Sequence, residues 1–506
     1  MKKLISLTLA LLMLFTAIAC SQGDPVVDSP DTTAAPKEET PVITTEAETT
    51  VPNVDGFPIP QIPAADYSGF SDGTFDVLGL EEANFYPYNE FAIEEQTGDL
   101  VKDAIFKRNR LIKEKYNIDI VFHPTKEHST GLQALQTAVL ADSDEYQASA
   151  ISLYQMMTSA RTGMLYNLSD IPYIDTSAPW YYQSIQDSLS IGGEEFLMTS
   201  YLNMRIYDSS VLMYYSHKIA ENLQLGDLDQ LALDGKWTWE KLKQYCAMFG
   251  RDVDNDGKYG EADEVGLIAH NGYILSFFNG MGGRFVQKNN EDIPVYVGID
   301  EKNEKLLSEL LPFLFTEPDS LHGASSDLPF YATTFVEDRA LFTAGNVFYQ
   351  RDLSGRGADD YGVLPFPKAD ETQDRYYVHT HSSSASALGV PTPNKDIAPI
   401  GAILADLIYL SYEHIYPAHI EKTQHYRYAT DANATKILQL TFNSLCLELS
   451  TALNLSMDTT LRALGQRKIS TFASYFDAKK SADMALIDKY VENFVGLIGS
   501  EETTAG

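Results

Sequence analysis

A chain of 506 residues with 71 acidic and 37 basic side chains has a formal charge of -34, which excludes nucleic acid and an anionic membrane surface as partners. Three cysteines are too few for a disulfide-built scaffold, and no CxxC or HExxH spacing offers a catalytic zinc site. Residues 66–506 are more than one core usually spans, so at least two lobes are expected.

Lys2 and Lys3 precede an apolar run from Leu4 to Phe15 that ends in small residues before Cys20. The run is too short to cross a bilayer and has the layout of a secretory signal over residues 1–20. Ala17, Ile18, Ala19 and Cys20 resemble a bacterial lipobox, with alanine where leucine usually stands; the resemblance implies lipidation at Cys20. Residues 21–65 are rich in Pro, Thr, Asp and Glu and cannot bury enough apolar surface to offset their ordering entropy. They read as a disordered acidic spacer. A domain tethered in this way works at the extracellular face of a cell membrane, that of a Gram-positive bacterium.

The domain opens with alternating strands and helices. TFDVLGL (74–80) is a short apolar run, DLVKDAIFKRNRLIKEKY (99–116) has helical spacing, and NIDIVFH (117–123) alternates into a second strand. Together they predict a βαβ unit of an α/β sheet. Leu132–Leu140 continues as helix, and QASAISL (147–153) supplies a third strand. Ligands of open α/β sheets sit beyond the carboxyl ends of the strands. The loop EEANFYPYNEF (81–91) therefore offers Tyr86, Tyr88 and Asn89, and Tyr154 and Gln155 follow the third strand in the same way.

In GKWTWEKLKQY (235–245), Thr238 is placed to cap a helix, with Trp237 and Trp239 packing its start. Both tryptophans read as structural, whereas Trp180 suits either a packing or a binding role. Cys246 and Cys446 sit among apolar residues in helical patterns and read as buried thiols. DVDNDGKYGEAD (252–263) puts Asp252, Asp254 and Asp256 at positions 1, 3 and 5 of a twelve-residue loop, Gly257 at 6, the Lys258 carbonyl at 7 and Asp263 at 12. Hard oxygen ligands at that spacing suit Ca2+. Helical spacing precedes the loop, but EVGLIAH (264–270) after it reads as a strand, so the expected ion pins a turn and opens no helix pair. In HNGYILSFFNGMGG (270–283), Phe277 and Phe278 read as core, and Tyr273 and Asn279 are weaker ligand candidates.

No nucleophile elbow or phosphate loop is present, and the pairs Glu81–Glu82 and Glu194–Glu195 are adjacent residues whose carboxyls point apart. They cannot form the facing couple of a glycosidase, so no enzymatic activity is expected.

The stretches KRNRLIKEKYNIDI (107–120), SAPWYYQSI (177–185), GKWTWEKLKQY (235–245), DDYGVLPFPKADETQDRYY (359–377) and YPAHIEKTQHYRYATDANATKIL (416–438) resemble, in order and spacing, the extracellular solute-binding lipoproteins of carbohydrate ABC transporters. That branch includes maltodextrin- and alginate-binding proteins. The resemblance implies an α/β, two-lobe periplasmic-binding-protein-like fold of type II, with a ligand cleft between lobes joined by hinge crossings. Lobe 1 would cover 66–205 and 383–428, and lobe 2 would cover 206–382 and 429–506.

ALFTAGNVFY (340–349), then YGVLPFP and SASALGVPTPNKD (384–396), is similar to the corresponding run of maltodextrin-binding proteins. This implies Tyr349 in the cleft with Arg351 beside it. It also implies Tyr201, Asn203 and Tyr214 near a first crossing, and His379 and His381 near a second. The function implied is that of a monomeric, lipid-anchored receptor that captures a saccharide, an oligosaccharide in the favoured case, and delivers it to an ABC transporter permease. A neutral sugar is favoured, and Arg205, Arg284, Arg339 and Arg351 keep an acidic one open. The competing reading, a calcium-stabilised adhesin or structural lipoprotein, needs the tether and the loop but no cleft.

Overall fold

The computed structural model describes residues 53–54, 56–82, 88–126, 128–257, 259–260, 262–315, 320–323, 328–358, 360–425, 432–469 and 471–499. The signal, Cys20, most of the spacer, Tyr86 and Lys258 lie outside the described residues.

The first lobe is built on a three-stranded parallel sheet. Strand β1 (Thr74–Leu80) leads to helix α1 (Leu100–Tyr116), strand β2 (Asp119–Thr125), helix α2 (His128–Leu140), strand β3 (Ala148–Ala150) and helix α3 (Leu153–Arg161), in the sheet order β2–β1–β3. Asp99 caps α1 by accepting from the amides of Val101 and Lys102, and Asn117 ends it in the left-handed region at φ 53°. The fully buried Arg108 of α1 donates to the carbonyls of Glu90 and Phe91 at 2.9 and 3.0 Å, which fixes the exit of the loop after β1.

The second lobe carries a five-stranded mixed sheet. Its parts in chain order are strand β4 (Val211–Ser216), helix α4 (Trp239–Phe249), strands β5 (Val265–His270), β6 (Ser320–Gly323) and β7 (Ala340–Asn346), helix α5 (Tyr349–Gly355) and strand β8 (Tyr361–Leu364). The order is β6–β5–β7–β4–β8: β5 runs parallel to β6 and β7, and β4 runs antiparallel to β7 and β8. Thr238 caps α4 through the Lys241 amide as expected, and Trp237 and Trp239 are 0% and 2% exposed. Helix α4 lies so close to β5 that a Cβ at Gly266 would stand 2.3 Å from the Cα of Cys246. Only glycine allows that approach. Phe277 and Phe278 are core, as their spacing predicts, and Cys246 and Cys446 are buried thiols that form no disulfide.

The rest of the chain ties the sheets together. Strand β9 (Val378–His379) pairs in parallel with β10 (Leu445–Cys446). Between them, helices α6 (Ile397–Leu410) and α7 (Tyr416–His425) cover α1; after them come α8 (Met457–Arg467) and α9 (Ala473–Gly499). Two segments run between the sheets, 203–210 and 380–386. They meet where Ser210 faces Thr380 in a bridge with hydroxyls 2.8 Å apart, and where Asn203 Nδ2 donates to Ser386 Oγ at 3.2 Å. One core, with Phe75, Ile112, Tyr116 and Ile403, lies between the first sheet and α6; a larger one runs from Leu78 and Met156 through Tyr207 into the second sheet. Among the described residues no helix is long and apolar enough to cross a membrane.

Candidate functional site

A cavity of about 390 Å³ opens where α3, the second crossing and α8 meet. Its lining includes Tyr154, in the first turn of α3, His381 to Ser383 from the crossing, Asn454 just before α8, and Asp458 and Arg462 on α8. The first turn of α3 is placed by its own needs. Helix starts leave amides without intrahelical partners, and here Leu153 and Tyr154 donate to the carbonyls of Ala385 and Ser382 at 2.9 and 3.3 Å. The helix that presents Tyr154 is thus hung on the crossing that presents His381.

Behind the cavity, His379 is fully buried on β9 and its ring meets that of His381 edge to face at 5.0 Å. Neither ring nitrogen of His379, nor Nε2 of His381, has a hydrogen-bond partner. Burial, with Arg462 and His270 nearby, pushes His381 down to about 3; burial, with His381 and Arg284, holds His379 well below its usual range. Both rings are therefore neutral at physiological pH.

A pH dependence follows, because unfolding lets both imidazoles take up protons. Their contribution to stability is fully present above about pH 6.5 and is lost as pH falls below it, by about 1.4 kcal/mol per pH unit for each ring that stays neutral, in the case of His381 down to about pH 3. Buried Glu90 and Glu448, raised by desolvation, act in the opposite sense, so the parent must be compared with a variant. Urea unfolding at pH 7 and pH 5 should show a larger acid loss in the parent than in His379→Gln/His381→Gln. Equal losses would show that the two rings ionise freely in the folded state.

Tyr154 and His381 line the cavity, and His379 stands directly behind His381. Of the other candidates from the sequence, Tyr273 stands nearby, its ring 6.1 Å from that of His381; the rest are not among the lining residues. Tyr88 is buried against α7, its ring 6.3 Å from that of His419 and 5.0 Å from Lys422 Nζ. Asn89 Oδ1 accepts from the amides of Phe91 and Ala92 and shapes its own turn. Gln155 accepts from Ser152 Oγ at 2.8 Å, inside the start of α3. Tyr201 packs into an aromatic cluster with Tyr182, Tyr412, Tyr416 and Phe442, with centroids 4.3–5.5 Å away. Asn203 is buried between the crossings. Tyr349 begins α5 with its ring 5.9 Å from Tyr214, and burial pushes its hydroxyl pKa up. Arg351 is exposed beside Phe348. Trp180 packs on Tyr409 and Tyr412.

Asn454, Asp458 and Arg462 had no part in the sequence reading. Asn454 stands in a left-handed turn just before α8, and in MDTTLRALGQR the i, i+4 spacing of Asp458 and Arg462 looks like any solvated helix face. Only the fold turns that face toward the cavity.

The acidic loop is separate from the cavity. It joins α4 to β5, a helix and a strand as its flanks predict, and the bridge between Arg251 and Glu264 closes it. Carboxylate oxygens of Asp252, Asp254 and Asp256 lie within 4.8 Å of one another. Gly257, at φ 78°, donates its amide to Asp252 Oδ2 at 2.9 Å. Asp252 Oδ1 is sealed from solvent without a partner. This donor set fits a hard divalent cation. Asp263 differs from the expected twelfth-position ligand: its two oxygens accept from the amides of Val253 and Gly260 at 2.8 and 2.7 Å, so it closes the loop through the backbone.

No family model and no curated protein sequence matches the chain; solved structures do. A cyclo/maltodextrin-binding protein complexed with maltotetraose is similar over 84% of this chain and 97% of its own, at 11% identity and TM-score 0.53. UspC from M. tuberculosis is similar over 81% and 100%, at 12% identity and TM-score 0.55. UgpB from M. tuberculosis, in complex with glycerophosphocholine, is similar over 77% and 96%, at 13% identity and TM-score 0.51. The chain has the two-lobe α/β fold of solute-binding proteins. In that solute-binding fold, the first sheet with α6 and α7 forms one lobe and the five-stranded sheet forms the other. The cavity lies beside the crossings that join them.

Proposed function

We propose that this chain is the receptor subunit of an ABC transporter: it captures a saccharide between its lobes and, tethered through lipid on Cys20 outside the cell, delivers it to a membrane permease. The observation that carries the reading is the cavity itself, with walls from α3 and α8 and its middle from a crossing segment. A ligand held there touches elements on both sides of the hinge, so binding favours the closed arrangement over the open one by its differential affinity. Tyr154 supplies a flat face for a sugar ring, while Asn454, Asp458, Arg462 and His381 supply polar groups for its hydroxyls. None of these groups need react with the ligand; they bind and release it.

Ca2+ has a structural part in this reading. Asp252, Asp254 and Asp256 would hold it, and its charge would relieve the repulsion of three converging carboxylates in the turn from α4 to β5.

The test is thermal unfolding of the chain lacking residues 1–20, against neutral and acidic oligosaccharides, each with Ca2+ or with chelator. A ligand at 100 times its Kd should stabilise the fold by about 2.7 kcal/mol. One sugar class should raise the midpoint, and chelator should lower the baseline without removing that increment. A midpoint indifferent to every sugar would overturn the receptor reading; one indifferent to chelator would remove Ca2+ from it.

A further inference from the structure

On the saccharide-receptor reading, we infer that Asp458 is a specificity residue: by neutralising Arg462 it suits the cavity to uncharged, hydroxyl-bearing ligands and turns acidic ones away.

The arginines that left an acidic sugar open in the sequence are committed elsewhere. Arg205 Nη2 donates to the carbonyls of Leu80 and Glu81 at 3.2 and 2.6 Å, and Arg284 Nη1 donates to those of Asn279 and Gly283 at 3.1 and 2.6 Å. Arg339 pairs with Glu337 at 2.6 Å, and Arg351 is exposed beside Phe348. None of the four lines the cavity. Among the described lining residues the charged side chains are Asp458 and Arg462, one turn apart on α8, with Nε 2.8 Å from Oδ2. Their charges cancel. His381 adds none, because desolvation keeps its ring neutral.

The pair is nevertheless unsaturated. The short contact lies off the hydrogen-bond axis, so Arg462 Nε has no aligned acceptor and Asp458 Oδ1 has no partner at all. Both of these atoms are sealed from solvent, so the pair acts on a ligand through its balanced charge, and a hydroxyl, which carries none, suits such a wall. A ligand carboxylate offers acceptors only. It would meet the Asp458 carboxylate as a like charge, and repulsion of that kind is how binding sites reject a wrong partner. The overall charge of -34 acts in the same direction at long range.

The experiment is calorimetric titration of the chain lacking residues 1–20, and of its Asp458→Asn and Arg462→Gln variants, with neutral oligosaccharides and oligouronates of matched length. The parent should bind its best neutral sugar at least tenfold tighter than the matched uronate. Asp458→Asn keeps the shape and frees the arginine's charge, so the ratio should narrow by at least tenfold, chiefly through tighter uronate binding. Arg462→Gln leaves the aspartate uncompensated and should widen the ratio further. A parent that prefers uronates, or an Asp458→Asn variant that folds with the parental ratio, overturns the inference and leaves the receptor reading standing. Failure of the parent to bind any sugar of either class overturns both.

Discussion

Tyr154→Ala should weaken saccharide binding about thirtyfold or more while leaving the apo fold within about 1 kcal/mol of the parent. The first figure corresponds to the roughly 2 kcal/mol typical of a central aromatic anchor. The second follows because the ring lines the cavity and is only partly buried, while the backbone bonds from its turn to Ser382 and Ala385 survive truncation. Tyr154→Phe separates the ring from its hydroxyl: a stacking role predicts near-parental affinity, and a hydroxyl contact predicts most of the alanine loss. The measurement is titration calorimetry with the best ligand from the thermal screen, alongside urea unfolding of the apo proteins. An alanine variant of unchanged affinity would move the site away from α3.

Trp237→Ala should lose about 3–5 kcal/mol of stability, the usual cost of deleting a fully buried large aromatic. Trp237 is 0% exposed, its ring lies 5.5 Å from that of Phe342 on β7, and its Nε1 donates to the Pro365 carbonyl at 3.0 Å. Truncation therefore opens a cavity beneath the second sheet and strands a buried carbonyl, two penalties of separate origin. A lower urea midpoint at unchanged slope is the expected signature. A change below 1 kcal/mol would mean that α4 repacks against β7 without the indole. The variant also tests the sequence reading directly, since a tryptophan used for sugar stacking would cost affinity first and stability little.

Local features were legible wherever local chemistry decides them. The Thr238 cap, the strand at 74–80, the helix-to-strand change across the acidic loop and the buried state of Phe277, Phe278 and both thiols all follow from side chains within a few positions of one another. The site was harder to read. Tyr154 emerged because the end of a strand places it, whereas Asn454, in a turn, and Asp458 and Arg462, on a polar helix face, reach the same cavity only through packing. Tyr88, Asn89 and Gln155 occupy the expected loops and helix start, but each is held by a nearby partner: a ring, a turn or a helix cap. Residue type and loop position do not reveal whether a neighbour has already claimed a side chain.

The pairing of β9 with β10, and a cavity lined from both α3 and α8, give the candidate site a history as well as a shape. Tyr154 is made early in synthesis and the lining from Asn454 to Arg462 comes roughly three hundred residues later. Contacts so distant along the chain form only after long loops have closed. A chain crossing a membrane from its amino end would therefore acquire its first sheet well before it could hold any solute. On the receptor reading, recognition would be the last property to arrive, so a stalled or clipped chain would have much of its surface and no completed site.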